Sequence, residues 1–112
     1  MMTYDVVYVP FPFSDLSISK KRPCVILGSF RLRSYNQQLV VAMITSKVSH
    51  VKFPHDVSIE DLEAAGLPVA SIIRLSKIVT IDSGLVVKKL GRIASREHVL
   101  MKREFKLLFK DL

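Results

Sequence analysis

Apolar runs of strand length dominate this chain. Residues 3–9 form an apolar, β-branched run that stops at Pro10 and Pro12. Proline locks φ and offers no backbone N–H, so a strand is expected to end there. A second run spans 23–31, with Pro23 at its start, where a missing donor is tolerated. The polar stretch Arg33-Ser34-Tyr35-Asn36 reads as a turn. Residues 38–45 are almost continuously apolar and predict a central strand buried on both faces. Residues 50–58 are interrupted by Pro54 and predict an edge strand.

The period then changes. Ser58, or a near neighbour, is placed to cap a short helix with acids in its first turn (Glu60, Asp61, Glu63) and Gly66 at its end. Strand patterns resume at 69–75 and 77–82, Asp82-Ser83-Gly84 reads as a turn, and 85–93 is strand-like around Gly91. Ser95 is the expected N-cap of a final helix. Its apolar positions Met101, Phe105, Leu108 and Leu112 make one stripe. Five to seven short strands with one inserted and one terminal helix predict a mainly β fold, a small curled antiparallel sheet or barrel.

Composition narrows the class. At 112 residues the chain is one domain, and 49% hydrophobic residues is too many for a disordered tail. The longest apolar run, Leu39 to Ile44, is far short of a membrane span, and the N-terminus lacks the pattern of a signal peptide. No membrane association is therefore expected. The one cysteine, Cys24, has no partner within the chain, lies in an apolar strand and reads as a small buried hydrophobe. A reducing cytoplasm is the simplest compartment. The net charge of +7 favours a polyanionic partner.

Two places carry candidate chemistry. Lys20-Lys21-Arg22 leads straight into Pro23. Such a run is ordinarily solvated, but the residue before a proline is held extended, and a guanidinium so placed suits a phosphate. Lys20 and Lys21 read as steering charges. The second place is the end of the 38–45 strand, where Ile44 gives way to Thr45, Ser46 and Lys47. Two hydroxyls and an ammonium there are either turn chemistry or ligands for a phosphate or ribose. Tyr8, Phe11 and Phe13 lie nearest the basic run and can stack on bases or anchor the loop. The three histidines, His50, His55 and His98, form no metal-ligand spacing. No glycine-rich phosphate loop is present either, so no metal or other cofactor is expected.

These blocks together resemble the MazF/PemK family of toxin endoribonucleases from bacterial toxin–antitoxin pairs. The resemblance runs from Asp5-Val6-Val7 and Pro10-Phe11-Pro12-Phe13-Ser14-Asp15-Leu16 through Lys21-Arg22-Pro23-Cys24-Val25-Ile26-Leu27. It continues in Ile44-Thr45-Ser46-Lys47, Gly66-Leu67, Ser71-Ile72-Ile73-Arg74-Leu75, Lys77 to Asp82 and Leu90-Gly91-Arg92-Ile93. It implies an SH3-like β-barrel with a C-terminal helix, assembled as a homodimer, that cuts single-stranded RNA without metal. It assigns catalysis to Arg22 and Thr45. It places RNA contacts on the loop from Ser14 to Lys21, which includes Ser17, Ser19, Lys20 and Lys21. Phe13 before that loop, and Ser46 and Lys47 after Thr45, are the other candidate RNA contacts. It also implies a cognate antitoxin that covers the RNA groove. Two departures stand out: Tyr4 occupies a position where many members have glycine, and Ser17-Ile18-Ser19-Lys20 replaces a Gly-x-Glu-Gln-type loop. Non-enzymatic gyrase poisons share the same barrel by resemblance, and they and a plain nucleic-acid-binding module are the alternative readings.

Overall fold

A computed structural model describes residues 1–11, 20–48 and 52–112. Among these residues, six strands and two α-helices follow in the order β1 (Asp5–Phe11), β2 (Lys20–Arg31), β3 (Gln37–Thr45), β4 (Asp56–Ser58), α1 (Leu62–Ala65), β5 (Ile72–Asp82), β6 (Lys88–Arg92) and α2 (Ser95–Leu108). A single 3₁₀ turn, Ser83–Leu85, joins β5 to β6. The strands make one antiparallel sheet in the order β4-β5-β3-β2-β1-β6. Register shifts between Val6 and Val7, between Ile26 and Gly28, and between Ala42 and Met43 mark bulges, and bulges bend strands. The expected curl is present. Among the described residues no ladder joins β4 to β6, so the sheet stays open where a closed barrel was one expectation.

Both faces of the sheet are buried, which explains the near-continuous apolar runs. On one face Val6, Val25, Ala42, Ile44, Ile73 and Leu75 pack with Ala65, Leu67, Ile93 and Met101. On the other, Val7, Val9, Cys24, Ile26, Leu39, Val41, Met43 and Ile81 form a second cluster. β3 is central and contributes to both, as its sequence predicts. The edge strand β4 is shorter than the expected 50–58 run, and residues 49–51 lie outside the described set. The other edge, β6, carries Lys88, Lys89 and Arg92, charges that discourage pairing with a second sheet.

Several boundaries differ from the sequence pattern for local reasons. The segments 69–75 and 77–82 are not two strands. They merge into β5, and residues 69–71 precede it. Asp61, not Ser58, caps α1, its carboxylate accepting from the Ala64 amide at 3.0 Å. Ala94 occupies the N-cap position of α2, so Ser95 is its first residue and makes no capping bond. The buried Glu97 ties that first turn down instead, accepting from the Glu60 amide at 2.6 Å. Of the α2 stripe, Met101 is buried and Leu108 packs at the edge of the core. Phe105 is partly exposed and stands against Phe109, and Leu112, beyond the last turn, is fully exposed.

Tyr4 has φ +75°, the left-handed region that favours glycine. Its amide donates to the Ile26 carbonyl and its own carbonyl accepts from Ile93, so the residue bridges β2 to the end of β6. Its ring stacks on His98, with centroids 3.4 Å apart and planes 10° off parallel. That stack, with His98 Nε2 donating to the Ile93 carbonyl at 2.8 Å, opposes the backbone cost of a non-glycine residue there. Among the described residues no helix is long and apolar enough to cross a membrane.

α1 closes against β6 with almost no space between backbones. Gly66 ends α1 at φ +73°, and a Cβ there would strike the Leu90 carbonyl. A Cβ on Gly91 would strike the backbone of Ala64 and Ala65. Two glycines therefore permit one contact. Gly91→Ala is expected to destabilise the fold by about 3 kcal/mol or more, because backbone rather than a flexible side chain must give way. Chemical denaturation of the two proteins measures the difference.

Candidate functional site

The ladder between β2 and β3 begins at Cys24–Met43 and runs through Val25–Ala42 and Ile26–Val41. Continuing that register by two residues sets Arg22 across from Thr45, on the side-chain face shared by Cys24, Ile26, Val41 and Met43. No β2–β3 pairing reaches this far. Arg22 is instead paired to Val9 on β1, and Thr45 is paired to Ile72 on β5. Each residue is thus anchored on its outer side, while the ladder between them has ended. Pro23 fits here because β2 pairs with β1 alone at this point.

A cavity of about 510 Å³ opens at this place, within the range of ligand sites. Arg22, Thr45, Ser46, Lys47, Lys20 and Lys21 all line it. Among the described residues five basic ones (Lys20, Lys21, Arg22, Lys47 and Lys88) face it and no acidic one does. The opposite wall is Gly66-Leu67-Pro68-Val69 with Ser71 and Leu90. Arg22 is half-buried and its Nε is shielded from solvent, whereas Lys20 and Lys21 are exposed. Thr45 is buried, and its Oγ1 accepts from the Lys47 amide at 3.2 Å. Turn chemistry at Thr45 is therefore real, but it uses one lone pair. A hydroxyl also has a proton and a second lone pair to offer.

The structure unites six of the sequence candidates and leaves four unplaced. Phe13, Ser14, Ser17 and Ser19 lie outside the described residues. Lys88, Tyr8 and Ser71 are further lining residues. Tyr8 was legible only as an aromatic near the basic run. Lys88 carried no signal of its own, since its place depends on β6 pairing with β1. The Ser71 hydroxyl donates to the Val69 carbonyl at 2.8 Å and so shapes the wall.

Several other basic residues are committed elsewhere. Arg74, half of a cross-strand pair, grips Asp56 with two bonds of 3.2 and 3.0 Å and lies over the Phe53 ring. Lys89 and Arg92 both reach the buried Asp5, at 3.3 and 3.1 Å. His55 pairs with Glu104 at 3.2 Å, and His50 lies outside the described residues. Among the described residues no cluster of three or more His, Cys, Asp or Glu could hold a metal ion.

Two titrations follow from these surroundings. Burial pushes the Cys24 thiol up to about 12, against a smaller opposing pull from the Arg22 charge. A thiol raised that far from its ordinary 9.0 carries ~1,000-fold less thiolate at pH 8. Alkylation of native protein at pH 8 should accordingly be at least that much slower than in denaturant, as followed by mass spectrometry. For Asp5, burial alone would raise the carboxyl, but hydrogen bonds from the Met2 amide, Lys89 and Arg92 outweigh it and hold the pKa below the ordinary 3.8. The ionised form is favoured by folding, so its contribution is complete above pH ~4 and is lost as pH falls through the lowered folded value. Thermal melts of wild type and Asp5→Asn should converge as pH drops below ~4 and separate above it.

Comparisons with known proteins agree with this architecture. The family model described as "PemK-like, MazF-like toxin of type II toxin-antitoxin system" matches residues 2–109. Toxin MazF-mt6 of Mycobacterium tuberculosis superposes with a TM-score of 0.72 at 18% identity, covering 95% of this chain and 96% of that one. An endoribonuclease in complex with its cognate antitoxin, from a mycobacterial species, gives a TM-score of 0.72 at 13% identity, covering 100% and 97%. The MazE–MazF structure of Deinococcus radiodurans gives 0.66 at 13% identity, covering 97% and 94%. A comparison with curated protein sequences returns no match. The structural likenesses establish the fold, and the match along the chain establishes kinship.

Proposed function

The chain belongs to the PemK-like, MazF-like toxins of type II toxin–antitoxin systems, and from that premise we propose that it is a metal-independent endoribonuclease acting on single-stranded RNA. The observation that supports this reading is that Arg22 and Thr45 both line one cavity at the open end of the β2–β3 ladder, together with four lysines and, among the described residues, no acid. RNA brings its own nucleophile, the ribose 2′-OH, beside the phosphate it attacks. The protein must position that phosphate, stabilise the charge of the phosphorane and manage protons. Arg22 donates two hydrogen bonds to the non-bridging oxygens. Thr45 orients the phosphate or the 2′-OH with its remaining proton. The attack leaves a 2′,3′-cyclic phosphate and a 5′-hydroxyl. Arginine does not serve as the base, because it stays protonated.

Lys20, Lys21 and Lys47 raise the local concentration of a polyanion around that point. Rigid strands support the pair, which favours a site held to narrow tolerances. A cognate antitoxin is the proposed regulator, covering the same cavity. Two of the similar structures, the mycobacterial complex and MazE–MazF, support such a partner. A homodimer acting in the cytoplasm completes the proposal.

The test is cleavage of a long RNA by purified protein in EDTA, with 5′ ends mapped. Discrete cuts sharing a short motif are expected. Arg22→Ala and Thr45→Ala should each lose at least ~100-fold in rate, the scale of removing one oxyanion-type donor. RNA left intact by wild type would overturn the proposal and point to the gyrase-poison or plain binding reading.

A further inference from the structure

The cavity does not end at the Arg22–Thr45 pair. The sheet order puts β6 beside β1, β1 beside β2 and β2 beside β3, and each of these strands contributes to the lining. Its far side is made by Tyr8 on β1 with Lys88 and Leu90 on β6. Tyr8 is flanked by Pro23 in one ladder and by Lys88 in the other. The ring and the ammonium therefore come from neighbouring residues on one face.

β6 divides its cations by purpose. Lys89 and Arg92 are spent on the buried Asp5. Lys88 turns to the cavity side with Leu90, is exposed, and has no acidic partner among the described residues. Two strand spacings, about 10 Å across the sheet, separate the strand of Lys88 from that of Arg22, and alternation sends Arg22 to the other side-chain face, so the cavity joins the two around the end of the sheet. One phosphate held by Arg22 leaves room at that distance for the next nucleotide along the chain. Leu67, Pro68, Val69 and Leu90 give the same region an apolar wall, and bases stack readily between aromatic and apolar surfaces.

We propose that Tyr8 and Lys88 form a second nucleotide subsite of this cavity, the base lying on the Tyr8 ring and the neighbouring phosphate on the Lys88 ammonium. The subsite rests on the RNA reading given above. It binds rather than reacts, and it extends the footprint by one nucleotide toward β6.

A 2′-O-methyl oligoribonucleotide lacks the attacking hydroxyl and cannot be cut, so it reports binding alone. Its affinity for the full chain is measured by fluorescence anisotropy across a salt series. Lys88→Gln should weaken binding several-fold and lower the slope of log K against log salt by ~0.7, the value for one phosphate on a single strand. Tyr8→Leu should weaken binding roughly 5- to 100-fold with the slope unchanged, and Tyr8→Phe should bind as wild type, because the aromatic face is kept. Lys102→Gln on α2 removes the same charge away from this cavity and is the control. Wild-type binding with Lys88→Gln no different from Lys102→Gln, or with Tyr8→Leu as tight as Tyr8→Phe, overturns the subsite and leaves the RNA reading standing. No binding by wild type overturns both. Circular dichroism melts confirm that each variant is folded.

Discussion

The register of β2 on β3 is the constraint on which the site depends. Both strands are apolar on both faces, so alternation alone does not distinguish one core face from the other. The polar ends of the strands do. A one-residue slip would move every side chain of one strand to the opposite face. It would also set Arg22 against an apolar neighbour such as Ile44, at a cost that a desolvated charge makes large. In the observed register Cys24 meets Met43, and extending it by two residues aligns the first polar residues beyond that pair, Arg22 and Thr45, both of which line the cavity. Core packing and site assembly are thus one event. The ladder ends where the cavity begins, and the strands outside, β1 and β5, hold the two residues in place.

Charge is distributed with the same economy. The excess of basic residues reads as a diffuse cationic face, but much of it is internal structure. Asp5 draws Lys89 and Arg92, Asp56 draws Arg74, and Glu104 draws His55 and Arg103. Removing the cations from a buried carboxylate such as Asp5 would leave its charge uncompensated, a cost larger than the net contribution of the pair. Five of the other cations, Lys20, Lys21, Arg22, Lys47 and Lys88, meet at one cavity that has no acid in its lining among the described residues. Local field there is set less by the total of +7 than by which cations have been neutralised elsewhere.

The far wall of the cavity comes from backbone proximity rather than from side-chain chemistry. Gly66 and Gly91 let the end of α1 lie directly on β6. That contact brings the segment from Gly66 to Val69 over the strand carrying Lys88 and Leu90. Tyr4 contributes at the other end, bridging β2 to the end of β6 in a left-handed conformation that its stack on His98 supports. Glycine would adopt that φ value without steric cost, and the aromatic stack opposes the cost that Tyr4 carries there.

Alternation, proline placement and apolar run length determined the mainly β class, the burial of β3 on both faces, the Asp82 turn and the terminal helix. Each of these is local: the period of side chains and the loss of an N–H act within a few residues. The Arg-Pro and Ile-Thr-Ser blocks likewise marked Arg22 and Thr45 as candidates, and both line one cavity. Sequence did not determine that 69–71 would precede β5, that Asp61 would cap α1, that Arg74 would be buried on Asp56, or that Lys89 and Arg92 would reach Asp5. Lys88 was indistinguishable from Lys89 until β6 paired with β1, because alternation assigns opposite faces without saying which face meets the cavity. Only tertiary structure decided that, since the choice depends on contacts between strands some eighty residues apart, where no local preference reaches.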